Sequence, residues 1–126
     1  MSNLAQSFRD LSAYQEAFRF QQEVFGVSKK FPIEERYSLT DQIRRSSRSI
    51  GANLAESWAK RRYPAHFLSK LTDADGELQE TFHWLNSAQA CGYLNDLEFK
   101  KLHEEAALVG RLLGSMINSY QSFCTH

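Results

Sequence analysis

Apolar residues recur at helical spacing along four segments of the chain, and polar residues fill the positions between them. This pattern predicts α-helices at residues 12–31, 39–60, 64–91 and 95–123. The third and fourth segments each carry a regular seam that alternates between spacings of three and four residues. The seam of the third segment comprises Phe67, Leu71, Ala74, Leu78, Thr81, Leu85 and Ala88. The seam of the fourth segment comprises Phe99, Leu102, Ala106, Val109, Leu113, Met116, Tyr120 and Phe123.

The ends of these segments carry the signals of helix boundaries. Pro32 ends helix one, because the residue before a proline avoids the α region. Pro64 suits the first turn of helix three, and Gly92 suits its C-cap. Three helix starts have capping-box spacing. The pairs are Ser12 with Gln15 (or, earlier, Ser7 with Asp10), Ser38 with Asp41, and Asn95 with Glu98.

Helix one has apolar residues on two nearly opposite faces, which indicates burial on both sides. The face that we expect to pack in the core consists of Leu11, Tyr14, Phe18 and Phe25. The opposite set includes Phe20, Val27 and Phe31, for which two interpretations are open. In the first, Val27 and Phe31 pack beneath the loop that contains Pro32. In the second, which we favour, the set forms a subunit interface. The predicted interface consists of Phe20, Val27, Phe31 and Trp84.

Helix two combines an apolar stripe, a polar seam and many small residues. Gly51 lies in mid-helix, where glycine costs about 1 kcal/mol relative to alanine, so we expect close packing there. The polar seam either hydrogen-bonds across a helix or subunit contact and fixes its register, or faces solvent. The apolar stripe consists of Leu39, Ile43, Ile50, Leu54 and Trp58. The polar seam consists of Gln42, Ser46, Ser49 and Asn53.

The composition fits one all-α domain, an antiparallel up-down four-helix bundle over residues 1–126. Of its 126 residues, 42% are hydrophobic, and only two prolines and six glycines interrupt the chain. Cys91 and Cys124 flank helix four about 40 Å apart, too far for a disulfide, so we expect reduced thiols in a cytoplasmic protein. We find no signal peptide and no apolar run long enough to span a membrane.

The chain has no net charge, but its charges are unevenly distributed. Residues 36–72 carry 8 basic and 2 acidic side chains, a net charge of +6, whereas residues 73–126 carry 3 and 8, a net charge of −5. The basic side chains of helix two either pair with nearby carboxylates, such as Asp41, Glu77 and Glu80, or bind RNA phosphates. The candidate phosphate contacts are Arg44, Arg45, Arg48, Lys60, Arg61 and Arg62.

No catalytic constellation, metal site or cofactor motif is evident. A di-iron bundle needs two inward Glu-x-x-His pairs and two further carboxylates, whereas this chain has the single pair Glu80 and His83. His66, His83 and His103 are isolated, and Cys91 has no histidine at helical spacing to activate it. We therefore expect a non-enzymatic protein without a cofactor.

The segment 37–56 resembles the small bacterial proteins encoded in intervening sequences of 23S rRNA genes, also called S23-type proteins. Its matching positions are Leu39, Gln42, Arg44, Arg45, Ser49, Ile50, Asn53 and Glu56. Further matches to the family pattern lie before this segment. They are Phe8 to Leu11, Tyr14, Gln15, Ala17 and Phe31-Pro32. Ser57 departs from the family, which usually has glycine after the Asn-x-x-Glu motif.

This resemblance implies a four-helix bundle that assembles into a homo-oligomeric ring, typically a pentamer. Within it, Gln42, Ser49, Asn53 and Glu56 are expected to have a structural role. Related accessory variability determinant proteins of diversity-generating retroelements bind a reverse transcriptase and nucleic acid through a basic surface. The resemblance thus favours RNA or a ribonucleoprotein as the partner. The alternative is a protein-binding scaffold, including an accessory role for a reverse transcriptase.

Overall fold

The computed structural model describes residues 5–125 of the chain. Its helices are α1 (Ser12–Ser28), α2 (Leu39–Trp58), α3 (Pro64–Ala90) and α4 (Asp96–Asn118). Short 3₁₀ turns occur at Phe8–Asp10, Ile33–Glu35 and Tyr120–Phe123. Residues 5–125 contain no strand, so the predicted all-α fold of four helices is confirmed.

Each helix packs against two others, so the four helices surround one core. Helix α2 contacts α1 and α3, and α4 contacts α3 and α1. The short connections 59–63 and 91–95 bring consecutive helices back alongside one another, as in an up-down bundle. None of the helices in the described part of the chain is long and apolar enough to cross a membrane.

The seams predicted for α3 and α4 form the centre of the core. Every residue of the α3 seam, from Phe67 to Ala88, is buried. In α4 the seam is buried from Leu102 to Met116, while Phe99, Tyr120 and Phe123 at its two ends are half-buried. Burial of a large apolar side chain contributes about 1.5–3 kcal/mol, so these two helices supply much of the stabilisation.

The caps of α3 and α4 confirm the boundary signals between them. Gly92 adopts a φ of 78°, and the Tyr93 N–H donates to the Ala88 carbonyl over 2.9 Å, which closes the last turn of α3. Asn95 and Glu98 form the predicted capping box at the start of α4. The Glu98 N–H donates to Asn95 Oδ1 over 2.7 Å.

Helix α1 departs from its predicted start and end. The capping box forms at Ser7 and Asp10, the earlier alternative, and it opens the 3₁₀ turn before α1. Ser12 makes no cap, because Leu11 occupies the N-cap position. Helix α1 ends at Ser28 instead of residue 31, because the next three N–H groups bond to carbonyls only three residues back.

The expected core face of α1 is wrong in most of its residues. Phe18 is 46% exposed, and Tyr14 and Phe25 are only half-buried, although Leu11 is buried as predicted. The helix turns the other face inward because small residues there let α1 approach its neighbours closely. That buried face consists of Ala13, Ala17, Phe20, Val24 and Ser28.

The predicted subunit interface is wrong for two of its four residues, Phe20 and Phe31, for the same reason. Phe20 is 1% exposed and Phe31 is 7% exposed, so both belong to the core. The Phe31 ring packs against Tyr93 with their centroids 5.6 Å apart. Val27 and Trp84 are half-buried and pack against the same core. The prediction therefore fails for Phe20 and Phe31 and stays a prediction for Val27 and Trp84.

The buried contact between α2 and α3 combines apolar side chains with one pair of hydroxyl groups that bond to each other. Leu39, Ile43, Ile50 and Leu54 are buried as predicted, whereas Trp58 is half-buried. Thr81 Oγ1 lies 2.8 Å from Ser46 Oγ and 2.8 Å from the Glu77 carbonyl. One residue of the predicted polar seam, Ser46, thus forms a hydrogen bond across the contact between α2 and α3.

Gly51 packs where α1 crosses α2. It is buried, and an added Cβ at this position would lie 3.5 Å from Tyr14 Cε1. The predicted close packing at Gly51 is therefore made by the Tyr14 ring rather than by a neighbouring backbone. A methyl group at Gly51 would touch this ring at ordinary van der Waals distance.

Candidate functional site

An open groove of about 500 Å³ runs along the first half of α2. Four arginines line it, whereas Asp41 is the one carboxylate in its lining. Thr40 lines the groove as a buried residue, and its hydroxyl has no hydrogen-bond partner among the described residues. The arginines are Arg36, Arg44, Arg45 and Arg48. We call this feature the arginine groove.

Phe25 of α1 holds two of these arginines in place. The guanidinium carbon of Arg44 lies 4.8 Å from the centroid of the Phe25 ring, and that of Arg48 lies 5.4 Å from it. Arg44 Nε also donates to Ser28 Oγ over 2.8 Å. Neither arginine has an ion pair with a carboxylate in the described part of the chain. The two cations are therefore oriented by an aromatic ring and keep their charge available.

Arg45 differs from its neighbours because α3 neutralises it. Its Nη2 lies 2.5 Å from Glu80 Oε2 and 3.4 Å from Glu77 Oε1. The bond to Glu80, followed by the nearby charges, raises the pKa of Arg45. The predicted pairing with Glu77 and Glu80 is confirmed for this residue, while the pair with Asp41 does not form. Arg45 is thus the least available cation of the groove.

The other three predicted phosphate contacts lie beyond the end of α2 and do not line the groove. Arg61 Nε donates to the Trp58 carbonyl over 3.0 Å, and its guanidinium carbon lies 3.5 Å from the centroid of the Trp58 ring. Lys60 and Arg62 are exposed. About 9 Å of helix, from Ala52 to Trp58, separates this group from the lining of the groove. The six residues therefore form two basic clusters rather than one continuous site.

The family-motif residues of α2 bond mainly along their own helix. Ser49 Oγ donates to the Arg45 carbonyl over 2.8 Å, and Asn53 Nδ2 donates to the Ser49 carbonyl over 2.9 Å. Glu56 pairs with Lys70 of α3 over 3.3 Å. Gln42 is half-buried. The structural role expected for the motif stays a prediction.

Ser57, where the family usually has glycine, fits inside α2. Its side chain is fully buried, and its hydroxyl donates to the Leu54 carbonyl over 2.6 Å. The helix continues through this residue to Trp58. The substitution is therefore accommodated without disturbing the last turn.

The sequence reasoning missed Arg36 and Tyr37, which lie just before α2. Arg36 lines the arginine groove, and its guanidinium carbon lies 5.7 Å from the centroid of the Tyr37 ring. Tyr37 is 85% exposed, more than any other large hydrophobic side chain described. The signal that could have identified Arg36 is its place in the basic segment 36–72, directly before helix two.

Glu35 fixes the backbone that carries these two residues. Its Oε1 accepts hydrogen bonds from Ser38 Oγ over 2.7 Å and from the Leu39 N–H over 3.2 Å. Its Oε2 accepts one from the Tyr93 hydroxyl over 2.9 Å. These bonds, that from Ser38 first, lower the pKa of Glu35, while the Glu35 carboxylate raises the pKa of Tyr93 to about 12. Glu35 therefore replaces the predicted Ser38–Asp41 capping box.

The histidines and cysteines form no cluster in the described residues. Glu80 of the single Glu-x-x-His pair accepts hydrogen bonds from Trp84 Nε1 and Arg45, which lower its pKa in that order. Residues 5–125 contain no group of three potential metal ligands. Cys91 and Cys124 are free thiols, as predicted. The arginine groove is thus the feature best suited to bind a ligand, and its charge favours an anion.

The sequence profile of the 23S rRNA-intervening sequence proteins matches residues 9–115. The chain belongs to this family. A crystal structure of a Bacteroides thetaiotaomicron protein of unknown function, from the S23 ribosomal protein family, has the same fold. It superposes with a TM-score of 0.75 and 25% sequence identity, covering 84% of this chain and 95% of that one. No curated protein matches the chain.

Membership in the 23S rRNA-intervening sequence protein family confirms the resemblance seen in segment 37–56. The matched range includes all four helices except the last residues of α4. The link to retroelement accessory proteins stays a prediction.

Proposed function

We propose that this protein is a non-enzymatic RNA-binding protein whose arginine groove holds the phosphate backbone. The observation that carries the proposal is the arrangement of Arg44 and Arg48 on Phe25. Both cations keep their charge on a surface where Asp41 is the one carboxylate in the lining. The name of the family, which refers to an intervening sequence of 23S rRNA, is the reason for choosing RNA as the polyanion.

The physical basis is the release of counterions from RNA. Each cation that neutralises a phosphate frees condensed counterions, so affinity falls steeply as salt is added. Because the Phe25 ring already orients the guanidinium groups of Arg44 and Arg48, these side chains lose little conformational freedom on binding a phosphate. Lys60 and Arg62 belong to the second basic cluster, beyond the end of α2. They are proposed to add weaker contacts with phosphates of the same RNA molecule.

The test is the salt dependence of RNA affinity. For the double variant Arg44→Ala/Arg48→Ala, we expect the magnitude of the slope of log affinity against log salt to fall by about 1.4–1.8, because two phosphate contacts are lost. Fluorescence anisotropy with a labelled RNA, titrated at several salt concentrations, measures this slope.

A charge-matched control is Lys100→Ala/Arg111→Ala, which removes two exposed cations of α4 that line neither the arginine groove nor the groove at Phe18. We expect it to change the slope by less than half as much. Equal slopes for the two double variants would refute the groove as the site. Absence of RNA binding by the unaltered protein at low salt would refute RNA binding altogether.

We also propose that copies of the chain associate, through a different face of α1 from the one predicted. An open apolar groove of about 510 Å³ is lined by Tyr14, Phe18 and the polar residues around them. Phe18 is 46% exposed there and contacts the Tyr14 ring with their centroids 6.1 Å apart. Exposed aromatic patches of this kind are typical of association surfaces.

Light scattering at micromolar concentration tests this association. We expect a mass that is a multiple of the 14.5 kDa chain, five-fold for the pentamer that the family resemblance implies. The variant Phe18→Glu should shift the mass towards one chain, because it places a charge in the contact. A mass of one chain for the unaltered protein would refute the proposal.

The alternative proposal is a protein-binding scaffold that does not contact nucleic acid, including an accessory role for a reverse transcriptase. Ile33 and Leu97, which are 75% and 78% exposed, favour it as apolar side chains open to a partner. A partner that stays bound after nuclease treatment, together with no RNA binding at low salt, would decide for this alternative.

A further inference from the structure

Tyr37 stands beside the arginine groove with its ring open to solvent. Arg36, which lines the groove, lies against the ring, with 5.7 Å between its guanidinium carbon and the ring centroid. At 85% exposure, the rest of the ring surface is free for another planar group. The feature therefore pairs a cationic groove with an adjacent uncovered aromatic face.

The backbone under Tyr37 is held on both sides. The Ser38 N–H donates to the Glu35 carbonyl over 3.0 Å, and the Arg36 N–H donates to the Ile33 carbonyl over 3.1 Å. The Glu35 carboxylate, bonded to Ser38, Leu39 and Tyr93, ties this turn to α2 and to the α3–α4 connection. The aromatic ring is thus presented by a fixed turn and not by a free loop.

The ring of Tyr37 has little contact with the rest of the chain. Its hydroxyl makes no hydrogen bond among the described residues, and the Arg36 guanidinium lies against one part of the ring. The remaining surface of the ring is therefore available to a planar ligand that stacks on it.

We propose that the arginine groove and Tyr37 together bind single-stranded RNA, with a phosphate in the groove and the adjoining unpaired base on the Tyr37 ring. This inference rests on the proposed RNA binding and narrows it. Unpaired bases expose their faces for stacking, whereas a duplex keeps its bases stacked on one another inside the helix. Aromatic rings beside a cationic groove are typical of single-strand binding surfaces.

Tyr63 provides an internal comparison within the same chain. It is 58% exposed and follows the second basic cluster, but it lines no arginine groove, and its ring lies 5.8 Å from that of His66. If exposure and nearby cations were sufficient for base stacking, Tyr37 and Tyr63 would contribute equally to RNA affinity. If the groove positions the strand, Tyr37 contributes more.

The decisive measurement is how Tyr37→Ala changes affinity for three labelled ligands at one salt concentration. The ligands are a single-stranded RNA, a blunt duplex of the same sequence and an abasic ribose-phosphate strand of the same length. We expect about a tenfold loss for the single strand, because stacking contributes about 1–3 kcal/mol per base. Losses for the duplex and the abasic strand should stay below about twofold.

The variants Tyr37→Phe and Tyr63→Ala complete the design. Tyr37→Phe keeps the ring and should keep the affinity for the single strand, whereas Tyr63→Ala should reduce it less than about twofold. Because Tyr37 and Tyr63 are exposed, each variant is expected to retain the circular dichroism of the unaltered protein.

The outcomes separate this inference from the proposed function. Equal losses from Tyr37→Ala on all three ligands, or equal losses from Tyr37→Ala and Tyr63→Ala, would overturn the single-strand inference and leave RNA binding in place. No binding of any ligand by the unaltered protein at low salt would overturn both.

Discussion

Replacing Phe20 by alanine is expected to lower the free energy of unfolding by about 3–5 kcal/mol. Phe20 is 1% exposed at the centre of the buried face of α1, so truncation removes many apolar contacts and leaves a cavity. The neighbouring small residues Ala13 and Ala17 cannot fill this space, because they are too short and lie on a helix that packs closely. Urea unfolding followed by circular dichroism measures the loss.

Phe18→Ala is the matched control, because it makes the same change on the opposite face of the same helix. Phe18 is 46% exposed, so we expect a loss of only about 1 kcal/mol or less. The comparison should be made at a fixed low protein concentration, since the proposed association involves Phe18. A larger loss for Phe18→Ala than for Phe20→Ala would contradict the orientation of α1.

The second large effect concerns a pair of glutamates between α1 and α4. Burial, followed by a hydrogen bond with Glu23 and the charge of Glu23, raises the pKa of Glu105 from 4.5 to about 7. Glu16 raises it further, and Lys101 opposes the rise. The hydrogen bond from Glu105 lowers the pKa of Glu23, whose Oε1 also lies 2.9 Å from Lys101 Nζ.

The direction of the pH effect follows from proton uptake on folding. Between pH 4.5 and about 7 the folded chain keeps a proton on Glu105 that the unfolded chain has lost, so stability falls as the pH rises through this range. Above pH 7 both carboxyls are charged, and each has a buried oxygen without a hydrogen-bond partner. The carboxyls with lowered pKa, including Glu23, Glu35, Glu80 and Glu98, stabilise the fold above pH 4.5 and lose this effect in acid.

Glu105→Gln should remove this pH dependence. A pKa of about 7 in place of 4.5 corresponds to about 3 kcal/mol. Since the pair is only partly buried, solvent screening reduces the expected effect to about 1–2 kcal/mol. At pH 8 we expect the variant to be more stable by that amount, because its amide can donate to Glu23 at every pH.

Urea unfolding at pH 5 and pH 8 tests the effect, with Glu104→Gln as the control. Glu104 is the exposed neighbour on α4, so its variant makes the same change in charge without altering the pair. Unaltered protein and Glu104→Gln should both lose stability between the two pH values, and Glu105→Gln should lose much less. Parallel behaviour of all three proteins would rule out the glutamate pair as the cause.

Much of the fold could be predicted from the sequence because α3 and α4 each bury one narrow seam. In α3, one heptad pattern from Phe67 to Ala88 accounts for every buried residue of the helix. Such a pattern has one possible inward face, so periodicity alone determines the orientation. Local signals were equally reliable at Gly92 and at Asn95, where the cap depends on the residues beside it.

Helix α1 could not be oriented in this way because both of its faces are apolar. The prediction favoured the face with the larger aromatic residues, Tyr14, Phe18 and Phe25. In the structure, the buried face is the one on which Ala13 and Ala17 let the neighbouring helices approach α1 closely. Phe25 lies outside this face and contacts Arg44 and Arg48. Which face turns inward depends on the shape of the neighbouring helices, and that information is not local in sequence.

The candidate site could be predicted only in part, again because some of its contacts join segments that are distant in the sequence. The arginines of α2 were identified from charge and spacing, but the carboxylates that neutralise Arg45 come from α3. The contribution of Arg36 and Tyr37 depends on the turn that Glu35 fixes, through a hydrogen bond to Tyr93 fifty-eight residues later. Contacts between distant segments of this kind cannot be deduced from helical periodicity.

The buried hydroxyl pair of Ser46 and Thr81 restricts how α3 can align with α2. The leucines of the α3 seam repeat every seven residues, at Leu71, Leu78 and Leu85. Sliding α3 by one heptad would therefore place leucines at the leucine positions again. In the shifted alignment, however, an alanine would take the place of Thr81, and the Ser46 hydroxyl would keep only the Ile43 carbonyl of its own helix, 3.4 Å away. The hydrogen bond between α2 and α3 thus favours the observed alignment over one shifted by a heptad.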